Sequence, residues 1–214
     1  MADVKKAYPA SLSVDYPDRE FNRLTSFFRL IVIIPIGILL CLVSGAVYRS
    51  GGGSQWVVAI SVGGVLFLAP MLMLVFKQKY PRWWFDWNIA LTKFSTRVMA
   101  YLALLRDEYP STDEDQAVHI EIPYPDAKKD LNRWLPLVKW LLAIPHYVVL
   151  FFLGIAAFFV VIIAWFAILF TGRYPKGLFD FVVGVMGWSL RVMGYAALLT
   201  TDEYPPFTLG EQAS

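Results

Sequence analysis

The longest apolar run in the chain constrains its fold most strongly. Residues 137–170 contain one basic residue, Lys139, one histidine, His146, and no acid. A single helix over this run would extend about 51 Å at 1.5 Å per residue, which is more than even a strongly tilted membrane span needs. We therefore expect two short membrane-spanning helices, about 131–153 and 155–171, divided near Gly154.

The composition and two further apolar runs also indicate a membrane protein. Hydrophobic residues make up 57% of the 214 residues and the mean hydropathy is +0.53, whereas a soluble domain is roughly 45–50% apolar. Runs at about 27–48 and 56–76 each have the roughly 20 residues that a bilayer core requires. The polar stretch 49–55 between them predicts a helical hairpin. A net charge of +2 gives no indication of nucleic-acid binding.

The chain contains an internal repeat. Landmarks in the first half return at offsets of 108 to 110 up to and into the first apolar run and at offsets of 94 or 95 after the second. The matching pairs include Tyr16 and Tyr124, Arg23 and Arg133, Arg29 and Lys139, Pro35 and Pro145, Tyr80 and Tyr174, Arg82 and Lys176, Arg97 and Arg191, and Asp107 and Asp202. We predict a first repeat of 1–110, an acidic linker of 111–117 and a second repeat of 118–214.

Each pair of predicted spans is followed by an amphipathic segment. Apolar residues in 82–105 and 176–199 recur at spacings of three and four, which is typical of a helix with one apolar face. Candidates for helix packing or partner contact on these segments are Trp83, Trp84, Trp87, Gly177, Gly184, Gly187 and Gly194.

These amphipathic helices either lie along the membrane interface or cross the membrane as third spans. The flat arrangement places 18 of the 19 Lys and Arg on one side of the membrane, as the positive-inside tendency favours, with both termini in the cytoplasm. We predict the flat arrangement. Alternating residues in 11–16 and 118–124 also predict two short strands that can pair with each other.

The predicted fold is therefore an all-α integral membrane protein with two tandem repeats. Each repeat is a transmembrane helical hairpin plus an interfacial amphipathic helix, and short cytoplasmic β-strands complete the fold.

Several motifs in the second repeat carry a family resemblance. The sequences Ile144-Pro145-His146, FTGRYP (170–175), LFDF (178–181), Arg191-Val192 and DEYPPF (202–207) resemble the bacterial integral-membrane family designated domain of unknown function 4389. The resemblance covers essentially the whole chain as two copies. The first copy departs from the pattern at Ile36, which replaces the histidine, and at Pro110-Ser111. The resemblance implies a location in the bacterial cytoplasmic membrane and no particular activity.

The sequence offers no catalytic constellation. His146 is the only histidine in a predicted span, and Ile36 takes its place in the first repeat. We interpret it as a polar residue at a helix contact rather than a metal or haem ligand. Nucleotide-binding, metalloprotease and nucleophile-elbow motifs are absent from the sequence. We therefore predict no enzyme activity, cofactor or metal.

Charged and tyrosine side chains found in both repeats are candidates for binding the headgroups of anionic lipids. They are Arg23, Arg29, Tyr80, Arg82, Arg97, Arg133, Lys139, Tyr174, Lys176 and Arg191. The alternative interpretation is that these long side chains only anchor helix ends at the interface.

These patterns predict a non-enzymatic scaffold or accessory subunit in the bacterial inner membrane, which binds anionic lipids and either other membrane proteins or further copies of itself. A small transporter or oligomeric channel is the alternative, because internal repeats are common in transporters. A membrane enzyme acting on lipids is a third class, and it would need a catalytic cluster that the sequence does not show.

Overall fold

A computed structural model describes residues 8–18, 20–44, 62–112, 114 and 116–210. This part of the chain is mostly helical and includes one small sheet. In chain order the elements are β1 (Ser11–Val14), α1 (Arg23–Val32), α2 (Ile34–Ser44), α3 (Val62–Lys77), α4 (Arg82–Leu102), β2 (Val118–Glu121), α5 (Pro136–Leu142), α6 (Ile144–Thr171) and α7 (Lys176–Ala196). The predicted polar loop of 49–55 lies outside the described residues.

A proline follows the first helical break in each half of the chain. The C-cap of α1 is Ile33, two residues before Pro35, and the C-cap of α5 is Ala143, two residues before Pro145. Proline lacks an amide hydrogen, and its ring clashes with the carbonyl of residue i−4, so a continuous helix bends or breaks there. The α1–α2 and α5–α6 pairs are therefore broken at matching positions.

The helix α6 continues without interruption through Gly154. This differs from the predicted division of 137–170 into two spans, because the break falls at Ala143 instead. Glycine weakens a helix in water, but in apolar surroundings the backbone has no competing hydrogen-bond partner and stays helical. At 1.5 Å per residue, the 28 residues of α6 extend about 42 Å.

The two strands pair across the halves of the chain, as predicted. They run antiparallel, with Leu12 opposite Ile120 and Val14 opposite Val118. Both strands are four residues long, shorter than the predicted 11–16 and 118–124. The side chains of Leu12, Val118 and Ile120 are buried, whereas His119 and Glu121 are exposed. One face of the sheet therefore packs on the helices.

The helix α7 contacts β1, the C-terminal segment and α6. Leu12 of β1 lies beside Gly187, and the backbone carbonyl of Leu209 lies beside Gly184. Ala164 and Ile168 near the end of α6 belong to the same buried cluster as Phe179 and Val182 in the first half of α7. The start of α6 contacts Trp188 in the second half of α7. The two helices therefore run antiparallel along each other.

We expect Gly184→Ala to destabilise the protein. A Cβ at this position would lie 2.8 Å from the carbonyl oxygen of Leu209, so the C-terminal segment would have to move, at a cost of about 1–3 kcal/mol. Thermal unfolding of the detergent-solubilised protein measures the loss. Gly177→Ala is the matched control, because nothing lies within 4 Å of its added Cβ. Equal melting temperatures for the two variants would contradict the close approach at Gly184.

Candidate functional site

A buried arginine joins the start of the apolar segment to the loop after α4. Arg29, 3% exposed, forms an ion pair with Asp107. Its guanidinium also donates to the backbone carbonyls of Tyr101 at 2.9 Å and Arg106 at 3.0 Å, and its Cζ lies 4.4 Å from the centre of the Tyr101 ring. The other carboxylate oxygen of Asp107 accepts from the amide of Asn22 at 2.8 Å. Both members of the pair therefore have several partners.

A buried lysine makes the corresponding arrangement after α7. Lys139 is fully buried, and its Nζ lies 2.7 Å from Oδ1 of Asp202 and 2.6 Å from the carbonyl oxygen of Thr201. The ammonium lies 5.1 Å from the centre of the Tyr195 ring. The second carboxylate oxygen of Asp202 accepts from the amide of Asn132. The buried cation, its carboxylate partner, the tyrosine ring and the asparagine amide therefore each have a counterpart in the arrangement around Arg29.

Two further arginines hold the segments that follow the amphipathic helices. Arg97, 9% exposed, donates to the carbonyl of Ser111 at 3.0 Å. Arg191, 5% exposed, donates to the carbonyls of Thr208 and Gly210. These guanidinium groups bind backbone oxygens of the chain itself, so a lipid phosphate would have to displace those segments to reach them.

The two predicted tyrosines take part in hydrogen bonds between the two halves of the chain. Tyr80 is buried and donates its hydroxyl to the carbonyl of Leu198 at 2.9 Å, while its own carbonyl accepts from Tyr124. Tyr174 is also buried, and its carbonyl accepts from Tyr16. Burial raises the pKa of Tyr80 well above its ordinary value, because a phenolate at this site would lose its hydration. Neither ring is exposed to a headgroup.

The remaining headgroup candidates are exposed cations. Arg23, Arg82 and Lys176 each begin a helix, α1, α4 and α7 respectively. Arg133 donates to the carbonyl of Val75. The ten candidates therefore separate into six buried groups, one exposed cation that binds the backbone, Arg133, and three exposed cations available to an anion.

The tryptophan cluster at the start of α4 is mainly exposed. Trp83 is 66% exposed and Trp87 51%. Trp84 is half-buried and packs on the cluster that contains Leu74 and Tyr80. Two of the three predicted partner-contact tryptophans therefore lie on the surface.

The glycines of α7 are approached by the chain's own non-helical segments. The sequence predicts that another helix approaches these glycines closely. In the structure Gly184, Gly187 and Gly194 instead face the C-terminal segment, β1 and Thr200, respectively. Gly177 has open space, with nothing within 4 Å of the point where a Cβ would lie. Helix periodicity shows which residues share a face, but it does not show what covers that face.

Two clefts open beside the paired carboxylates. The first has a volume of about 550 Å³ and is lined by residues that include Tyr16, Asp107 and Glu108. The second has a volume of about 450 Å³, and its lining includes the matching Tyr124, Asp202 and Glu203. Within the described ranges, no group of three or more His, Cys, Asp or Glu side chains is arranged to hold a metal ion.

His146 lies at the contact between α6 and α7. It is fully buried, and its Nδ1 accepts from the indole Nε1 of Trp188 at 3.1 Å. Its ring stacks on Phe207 with centroids 3.9 Å apart. This geometry agrees with its interpretation as a polar residue at a helix contact. The indole partner was not predictable, because it lies 42 residues away in the sequence.

Residues 134–208 match a family described as a domain of unknown function, DUF4389. The matched part is less than half of the chain and contains α5, α6 and α7, with Lys139, His146 and Asp202. No curated protein and no solved structure matches the chain. The family match therefore supports the resemblance found in the second repeat.

We expect Lys139→Met to be strongly destabilising. Removing one member of a buried pair leaves the carboxylate of Asp202 without its cation, at a cost of about 3–5 kcal/mol. Lys139→Met combined with Asp202→Asn should recover part of this loss because neither charge is then left unpaired. Chemical denaturation of the three variants in detergent measures the coupling.

The exposed pair of Arg173 and Glu20 provides the control. Their side chains are 75% and 61% exposed, so Arg173→Met should cost only about 0–1 kcal/mol. A loss for Lys139→Met no larger than that for Arg173→Met would show that the buried pair does not stabilise the fold.

Proposed function

We propose that this protein is a non-enzymatic scaffold or accessory subunit of the bacterial inner membrane, which binds lipid and partner membrane proteins. The exposed surface of α6 carries this proposal. An 18-residue window of the helix has a mean hydropathy of 3.0, and only 6% of that window is buried. A contiguous apolar surface of this kind requires lipid or another protein to cover it.

The apolar surface extends beyond α6 onto the helices that precede it. Leu24, Phe27 and Ile31 of α1 are more than half exposed, and so is Leu141 of α5. Exposed tryptophans accompany these helices, among them Trp134 before α5. Indole rings prefer the headgroup region, where one side meets hydrocarbon and the other meets water. This distribution supports embedding in a membrane rather than contact with a single soluble partner.

The packing of α7 supports our inference that the amphipathic helices lie along the membrane. Its midpoint touches β1 at Leu12 and the C-terminal segment at Leu209. A two-stranded sheet has unpaired backbone groups at its edges, and the hydrocarbon core cannot satisfy them. A helix whose centre packs on that sheet therefore belongs at the interface. Because α6 runs antiparallel along α7, it lies along the membrane with α7 in our proposal, which departs from the predicted transmembrane hairpin of 131–171.

Both ends of the described chain lie on the side of the sheet. Tyr8 donates its hydroxyl to the carbonyl of Glu203 at 3.2 Å, which joins the N-terminal segment to the loop after α7. In our proposal this side is cytoplasmic, and the exposed Arg23, Arg82 and Lys176 meet anionic headgroups there.

Cysteine labelling tests the orientation of α7. The chain has a single cysteine, so Cys41→Ser gives a cysteine-free background. In this background we expect Lys176→Cys and Glu203→Cys, near the two ends of α7, to react with a membrane-impermeant maleimide from the same side. Labelling of the two positions from opposite sides would contradict the flat arrangement and favour α6 and α7 as a transmembrane pair.

Native mass spectrometry after mild extraction tests the scaffold function. We expect a stoichiometric complex with another membrane protein, and we expect Trp83→Gln combined with Trp87→Gln to weaken it at least tenfold because both rings are exposed on α4. Trp134→Gln is the control, because it removes an exposed indole away from α4 and should leave the complex intact. A homogeneous homo-oligomer without other proteins would contradict the accessory-subunit proposal, and flux assays in liposomes would then test the channel alternative.

A further inference from the structure

An apolar pocket lies between α4, α6 and α7. Its volume is about 520 Å³, within the roughly 300–1,000 Å³ of typical small-ligand sites. Ser95 and Met99 line it from α4, and Ser189 and Met193 line it from α7. These are matching residues of the two repeats, separated by 94 positions in each case. The pocket therefore lies between equivalent faces of the two amphipathic helices.

Small residues of α6 leave the space that the pocket occupies. Gly154 and Ala157 form part of its wall, together with Phe158. Nothing lies within 4 Å of a Cβ placed on Gly154. Because Phe158 is also 64% exposed on the outer surface of α6, the pocket is continuous with the apolar surface that lipid would cover.

The wall of the pocket selects for hydrocarbon. Its three hydroxyl groups already donate to carbonyls of their own helices: Ser95 and Thr96 to Thr92 at 3.0 and 2.8 Å, and Ser189 to Val185 at 2.9 Å. No ionisable side chain belongs to the lining among the described residues. The wall thus offers no charge and no unpaired donor to a polar ligand.

We propose that this pocket holds one acyl chain of a membrane phospholipid, whose headgroup remains outside it. The inference rests on the lipid-binding part of the proposed function and gives that part a location. An empty apolar cavity forfeits dispersion contacts along its whole lining, and an acyl chain restores them without removing any polar group from water. A chain can enter from the bilayer because the pocket meets the exposed side of α6.

Filling the pocket tests the proposal. Leucine in Gly154→Leu has room at its Cβ and places its branched end in the pocket, so the fold should persist while the acyl chain is excluded. The protein is reconstituted into vesicles of phosphatidylcholine and phosphatidylglycerol, extracted in mild detergent and weighed by native mass spectrometry. We expect one bound phospholipid per wild-type chain and at least a fivefold lower occupancy in Gly154→Leu.

Gly177→Leu is the matched control, since it also has open space at its Cβ but does not line the pocket. It should retain the phospholipid. Unchanged occupancy in a Gly154→Leu protein with wild-type circular dichroism would overturn the proposal. Wild-type protein that carries no lipid, or carries a hydrophobic molecule of another class, would also overturn it.

A second measurement needs no variant. A phospholipid with a photoactivatable group at the end of its acyl chain should label Met99, Met186 or Met193 in the unmodified protein. Labelling confined to the outer surface of α6, at Phe151 or Phe159, would show that the chain stays outside. A protein that binds one phospholipid but no partner protein would contradict the scaffold function alone. A partner complex without the bound phospholipid would contradict this inference alone.

Discussion

The structure depends on two buried cations that the polar loops neutralise. Arg29 and Lys139 lie among apolar helices, where a charge without a counter-ion would cost several kcal/mol. Each finds its carboxylate, Asp107 or Asp202, in the loop after an amphipathic helix. The apolar segment of each half is therefore joined to the polar layer at one defined point. The loop after each amphipathic helix cannot be removed without leaving a cation buried and unpaired.

The two halves do not have separate cores. The sheet takes one strand from each, Tyr80 donates to the carbonyl of Leu198, and Tyr16 donates to the carbonyl of Tyr174. Burial raises the pKa of Tyr80 and Tyr174 well above the ordinary value of a phenol, because both rings are removed from water. Contacts of this kind hold each half in a position set by the other. We infer that the folded unit is the pair of halves.

Features that depend on neighbours in the sequence were predictable. Spacings of three and four residues indicated the helices α4 and α7, and alternation indicated both strands. Gly154 was misleading because glycine breaks helices mainly where water competes for the backbone, and α6 is continuous there. The use of the charges was not predictable either. Arg29 and Asp107 are 78 residues apart. The repeat pattern shows that each has a counterpart in the second half, but it does not show that the two side chains form an ion pair.

Because α6 and α7 pack against each other, they must have the same orientation relative to the membrane. Either helix alone is long and apolar enough to cross by composition, but they pack antiparallel over their length, so they cross together or lie flat together. The helix α7 also contacts β1 and a segment held by Arg191. Those backbone groups need water or protein partners, so crossing would carry them to mid-membrane. In our proposal, α6 therefore lies along the membrane with α7 and offers a broad apolar surface to lipid and other membrane proteins.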